Sequence, residues 1–185
     1  MVKTKHKRSL VFTFFYGTVV VLRVFTPFFI FFQPVTISLL AFLLDVIDVE
    51  FASRRVLTKS QYQYLDKAMD FWWYVFAMVY SFVSMPQYNY LLIPLFTLRL
   101  LGEVIFYFNR NRKTFFYFPN LFENAYFIFL LGNKVPSLGF LISGDHTVYS
   151  LAVVFILKMF QEWWVHIAQI SIGDDIINMK RQWLT

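Results

Sequence analysis

The chain has no cysteine, which excludes disulfides, zinc–thiolate sites and thiol catalysis. It is also poor in charge. Only 15% of its 185 residues are charged, whereas 58% are hydrophobic and 22% aromatic, with 25 Phe. A soluble domain of this size cannot hide that much apolar surface, so the composition points to a membrane-embedded chain. The net charge of +6 does not argue for a nucleic-acid partner, because the basic residues cluster between apolar segments. A signal-peptide pattern is missing as well. The basic start MVKTKHKRS runs into a long apolar stretch with no small-residue cleavage site, as expected of an uncleaved first transmembrane helix. No internal repeat, linker or low-complexity tract divides the chain, and a single domain over residues 1–185 is expected.

What is present is a series of six apolar segments: Leu10–Phe32, Val35–Ala52, Tyr64–Ser84, Tyr90–Phe108, Phe115–Leu131 and Thr147–Ile170. Most approach the roughly 20 residues that a helix needs to cross about 30 Å of hydrocarbon. Pro34, Pro86, Gly132 and Pro136 mark the joins, as chain-breaking residues do. Thirteen of the 17 Lys and Arg fall in four places: Lys3 to Arg8, Arg54 to Lys67, Arg110 to Lys113, and Lys180 with Arg181. These alternate with joins that are nearly uncharged. By the positive-inside rule the expectation is an all-α polytopic integral membrane protein of six transmembrane helices with both termini cytoplasmic.

Charged residues inside such segments are costly, about 2.5 to 3.5 kcal/mol each at a helix centre, and mark functional sites. Asp45 and Asp48 lie three apart near the end of segment two; Asp66 and Asp70 lie four apart in segment three. Each pair shares one helical face. Glu103, Glu123, Glu162 and His166 fall in the inner halves of segments four to six, with Arg23, Arg99 and Lys158 deeper. Lipid-facing charges would be expelled, so these residues are expected to line a shared cavity open to the cytoplasm. Lys158, Glu162, His166 and Gln169 form one helical stripe, and Arg99 and Glu103 are a turn apart.

Clustered Asp side chains are hard oxygen ligands and favour Mg²⁺, Mn²⁺ or Ca²⁺. Two metals on shared carboxylates suit phosphoryl chemistry, and a further Asp can take a proton from an attacking hydroxyl. The plainer reading is interfacial ion pairing of these Asp with Arg54, Arg55, Lys59 and Lys67, and both stand at this point.

The spacing resembles the motif of the CDP-alcohol phosphatidyltransferases, D-x2-D-G-x2-A-R-x8-G-x3-D-x3-D. Asp45, Asp48, Ala52, Asp66 and Asp70 match in register, Arg54 matches a second Arg often found there, and LRVFTPFF in segment one is similar to the Arg, Pro and aromatics of members. The resemblance implies six transmembrane helices with the motif at the cytoplasmic ends of the second and third. It implies a two-metal site of Mg²⁺ or Mn²⁺ on Asp45, Asp48 and Asp66, completed by Asp70, which would also be the catalytic general base. It further implies transfer of a phosphatidyl or related group from a CDP-linked donor to an acceptor alcohol, with CMP release, in phospholipid biosynthesis at the cytoplasmic membrane, with a homodimer as the frequent assembly. The partners implied are the lipid bilayer, the donor and the acceptor alcohol.

Three positions depart from the motif. Val49 replaces its first Gly, Ser53 its first Arg and Tyr62 its second Gly. Glycine serves where a backbone must approach a ligand closely. Val49, Ala52 and Tyr62 mark the expected nucleotide-binding face, so the metal half of the motif is intact and the nucleotide half altered. A catalytically degenerate relative that keeps only the cation site is therefore the alternative function. Arg23, Arg54, Arg99, Lys158, Glu162 and His166 are candidates for an acceptor or phosphate pocket; interhelical ion pairing and a structural histidine are the plainer readings. Glu123 and Asn124 either line that pocket or satisfy a kink at Pro119. Trp72, Trp73, Trp163 and Trp164 read as interfacial anchors, and Asp174 and Asp175 as a solvated tail.

Overall fold

The computed structural model describes residues 9–168 and 182–184. Lys3, Lys5, Lys7, Arg8, Gln169, Asp174, Asp175, Lys180 and Arg181 lie outside the described residues. The described part is helical: α1 (Leu10–Phe25), α2 (Pro34–Ala52), α3 (Lys59–Ser84), α4 (Asn89–Asn109), α5 (Thr114–Tyr117), α6 (Leu121–Lys134) and α7 (Asp145–Trp163). Tight turns of helix join several of them, and a wider turn over Trp164–Ala168 continues α7. Among the described residues the only β contact is one isolated bridge between Arg54 and Gln182.

Local chemistry sets the helix ends. Pro34 opens α2 at a position where a missing N–H costs nothing. Thr58 and Gln61 exchange side-chain and backbone hydrogen bonds as a capping box at the start of α3. Segment five is not one helix. Phe118, forced out of helical geometry before Pro119, has φ −124° and ψ 67°, which separates the single turn of α5 from the 14 residues of α6. Asn120 then caps α6 by accepting from the backbone of Glu123.

Three stretches are long and apolar enough to cross a membrane: Leu10–Phe29, Pro86–Asn109 and Asp145–Ala168. The distribution of polarity is inverted relative to a water-soluble bundle. Phe14, Phe32, Phe108 and Ile156 are exposed, while Arg23, Asp48, Asp70, Arg99, Glu103 and Glu162 are buried. Water-soluble monomers rarely carry contiguous apolar patches beyond a few hundred Å², so the outer surface is suited to lipid. The apolar core joins α3, α4 and α6 through Tyr74, Ala77, Leu92, Phe122, Tyr126 and Phe129. Trp73 belongs to this core, edge-on to Tyr126, rather than to an interfacial belt. Trp72 is half-buried and donates to the carbonyl of Val24 at 3.0 Å.

α1 and α2 run antiparallel, with Phe15 stacked on Phe51 at 5.7 Å between ring centroids and Arg23 against Asp45. This geometry brings the last turn of α1 beside the acidic end of α2. α4 meets the break before α6 at Gly102, where a Cβ would collide with the side-chain stem of Phe118. Gly102→Ala gains about 1 kcal/mol of helix propensity but overpacks this contact, which costs about 1–3 kcal/mol. The variant is expected to unfold earlier in a detergent thermal melt, whereas Gly17→Ala, with nothing within 4 Å, is expected to hold or raise the midpoint.

Candidate functional site

Four aspartates from two helices meet around one arginine from a third. On α2, Asp45 and Asp48 share a face; on α3, Asp66 and Asp70 do. Arg23, in the last turn of α1, reaches all four. Its Nη2 lies 2.8 Å from Asp45 Oδ1 and 2.8 Å from Asp70 Oδ1, and its Nη1 lies 3.5 Å from Asp66 Oδ1. Nη1 also pairs with Asp48. Lys67 bridges Asp66, at 2.8 Å, and Asp70. Arg23, a candidate for the acceptor or phosphate pocket, has its guanidinium within the aspartate cluster. The ion pairing anticipated for these Asp uses Lys67, while Arg54 is exposed and lies over the Phe12 ring at 6.0 Å.

The cluster also has oxygen geometry for a cation. One oxygen each from Asp45, Asp48 and Asp66 lies within 4.8 Å of the others, close to the spacing that ligands of one Mg²⁺ or Ca²⁺ require. Asp70 is not one of the three. Asp48 is the most enclosed member, with a side chain 2% exposed, whereas that of Asp45 is 44% exposed.

Tyr62 occupies the position expected of a glycine, and its ring is turned onto the site. The hydroxyl donates to Asp48 Oδ1 at 2.7 Å and lies 3.4 Å from Asp66 Oδ1. Burial, with Asp66 and Asp48 alongside, pushes the phenol well above its ordinary pKa, so it remains a donor. The other face of this corner is closed by residues 182–184. Gln182 is tied to the α2–α3 loop by backbone hydrogen bonds, Arg55 N donating to Gln182 O at 2.7 Å and Gln182 N donating to Ser53 O at 2.9 Å. Trp183 packs on the Tyr62 ring at 5.4 Å between centroids. Ala52 is fully buried in the apolar cluster beneath them with Tyr16 and Val56, and Val49 is half-buried.

Beside the aspartates opens a cavity of about 300 Å³. Its lining includes Asp45, Lys67 and Asp70 together with Arg99, Lys158, Glu162 and His166. Most of these charges are paired. Arg99 meets Glu103 at 3.1 Å and lies 4.5 Å over the Phe115 ring. Lys158 meets Glu162 at 3.1 Å, and Glu162 meets His166 Nε2 at 3.0 Å. Glu123 and Asn124 line the cavity, and Glu123 is also hydrogen-bonded to Asn120 at the break after Pro119. Asn120 donates to the Tyr74 hydroxyl and to Glu123, each at 2.7 Å.

Tyr74, Asn120 and Arg112 also line this cavity and were not foreseen. Tyr74 stands one turn after Asp70, a signal that was available in the spacing. Asn120 follows Pro119 as a helix cap, which is a weaker one. Arg112 comes from the α4–α5 connection, where no periodicity operates.

Arg23 neutralises carboxylates away from water, and removing one partner of a buried ion pair costs about 3–5 kcal/mol. In metal-free detergent solution, Arg23→Gln is expected to lose stability of that order, read by chemical or thermal unfolding. Arg54→Gln is expected to stay within about 0.5 kcal/mol, as exposed substitutions do. No known protein family, curated protein or solved structure matches this chain.

Proposed function

We propose that this protein is a metal-dependent membrane transferase that moves a phosphatidyl or related phospho-alcohol group from a CDP-linked donor to an acceptor alcohol and releases CMP. The observation that carries the reading is the convergence of Asp45, Asp48, Asp66 and Asp70 beside a polar cavity in an otherwise apolar bundle. Asp45, Asp48 and Asp66 would hold Mg²⁺ or Mn²⁺, since carboxylate oxygens alone suit these ions. Bound there, the metal supplies charge neutralisation for the donor's diphosphate.

The chain's own residues do the rest. The cavity holds the acceptor next to Asp70, with Arg99, Lys158, Glu162 and His166 orienting its polar groups. Lys67, at the boundary between cavity and aspartates, turns to the donor's phosphate oxygens. Asp70, relieved of that partner, takes the proton of the acceptor hydroxyl. The acceptor oxygen bonds to the lipid-linked phosphorus, the bond from that phosphorus to the bridging oxygen breaks, and CMP leaves with the electron pair. Six crossings, both termini cytoplasmic and a site facing the cytoplasm of the cytoplasmic membrane complete the reading.

A second reading has its own observation. Tyr62 bonds to Asp48, and Trp183 covers its ring, so an aromatic pair fills the face on which a nucleotide would approach. That favours a non-catalytic relative in which the cation site is structural or regulatory.

The assay that separates them supplies purified protein with Mg²⁺, CDP-diacylglycerol and a panel of acceptor alcohols. CMP release is expected from the wild type, with a loss on the order of 10² to 10⁴ in Asp70→Asn, the range for a missing general base. Cation binding without release from any CDP-linked donor would establish the second reading. The topology has a separate test, made clean by the absence of native cysteine. Single cysteines at Gln87 and Ser137 are expected to react with a membrane-impermeant maleimide in intact cells. Those at Ser60 and Asn111 are expected to react only after permeabilisation.

A further inference from the structure

The charges around the aspartates do not balance, and the shortfall is specific. Asp45, Asp48, Asp66 and Asp70 bring four negative charges, and Arg23 and Lys67 return two. One divalent ion closes the remaining gap; two would overshoot it. Oxygen spacing sets Asp70 apart from the other three. The three carboxylates that can share a cation are Asp45, Asp48 and Asp66. Asp70 stands outside that group, paired with Arg23 at 2.8 Å and with Lys67, while Asp48 and Asp66 also face Arg23 Nη1 and the Tyr62 hydroxyl.

The place of Arg23 is fixed by its helix rather than by the aspartates alone. The turn that follows it, Thr26 and Pro27, is buried. The adjoining carbonyl of Val24 accepts a hydrogen bond from Trp72 on α3 at 3.0 Å. A helical side chain leans towards the N-terminus of its own helix, which for α1 is the direction of the acidic end of α2. A guanidinium is always charged and presents a planar fork of donors to several carboxylates at once.

We infer that Arg23 is the second cation of this site: Asp45, Asp48 and Asp66 take one divalent metal ion, and the Arg23 guanidinium, held by Asp70, Asp45 and Asp48, stands in place of another. The inference rests on the proposed metal-binding role of the aspartates for its first ion. It alters the stoichiometry and the means by which a phosphate is met. One side of a diphosphate would face a metal ion and the other the N–H donors of Arg23, which hold phosphate oxygens by directed hydrogen bonds.

The test is a count of ions, independent of turnover. Metal-free protein in detergent is titrated with Mn²⁺, with equilibrium binding for stoichiometry and electron paramagnetic resonance for coupling between ions. The wild type is expected to bind one Mn²⁺ per chain with the spectrum of an isolated ion. Arg23→Gln, which frees Asp70 and removes one positive charge, is expected to bind two with a spin-coupled spectrum. Arg23→Lys keeps the charge, is expected to remain at one, and covers the case in which Arg23→Gln does not fold. Two coupled ions in the wild type would overturn the inference and leave the transferase reading standing. A folded Arg23→Gln that still binds one ion would also overturn it. No Mn²⁺ bound by the wild type would overturn both this inference and the metal-dependent function.

Discussion

Everything else in this bundle is arranged around the contact of one guanidinium with four carboxylates. Two like charges about 4 Å apart repel by about 4 kcal/mol at an effective dielectric of 20, and four aspartates from α2 and α3 crowd one another more than that pairwise figure conveys. Arg23 makes their convergence tenable, and in doing so ties α1, α2 and α3 at a single point. Lys67 adds a second cation on the α3 side. The pairing is not a large net source of stability, because desolvating both partners offsets much of the attraction. Its effect is on specificity. Helices whose outer faces are interchangeable Phe, Leu and Val acquire one register in which the charges meet and many in which they do not.

The same logic extends from the aspartates into the cavity. Arg99 with Glu103, Lys158 with Glu162, and Glu162 with His166 are each one helical turn apart. Each helix therefore brings part of its own neutralisation. That local pairing lets polar residues stand inside an apolar bundle without depending wholly on a neighbouring helix. Arg23 is different. Its partners lie on other helices, and no acid stands near it in its own.

This difference explains what was legible in the sequence. The apolar segments and the two acidic pairs follow from spacing alone, and α2, α3, α4 and α7 lie where the segments do. The stripe of Lys158, Glu162 and His166 and the pair of Arg99 and Glu103 were visible for the same reason, since a helix of known period places them. The break in segment five was harder to read, because the apolar run continues through Pro119 and hydropathy does not register a lost helical turn. The position of Arg23 was not legible. An isolated base within an apolar segment has a depth but no partner in the sequence, and its partner depends on how α1 packs on α2. The one usable clue was directional: the side chain leans back along α1, towards the end of α2 that carries Asp45 and Asp48.

The two halves of the acidic motif are constrained by different physics, and this bears on what a match to such a motif means. Asp45, Asp48, Asp66 and Asp70 are linked through Arg23, so changing any one of them alters the charge balance seen by the others. Val49 and Tyr62 are subject to no such bond of charge. A glycine is required at those positions only when a ligand must come close, and without that demand a larger residue can fill the space. The aspartates can therefore remain together whether or not a nucleotide is bound, and the aspartates alone do not identify the donor. The corner formed by Tyr62 and Trp183 bears on it more directly. Under the proposed function, a cytidine approaching the aspartates would meet an aromatic ring hydrogen-bonded to Asp48 and capped by an indole. It must either displace that pair or stack against it. Under the proposed function, the choice of donor would fall to the first turn of α3 and residues 182–184 rather than to the aspartates.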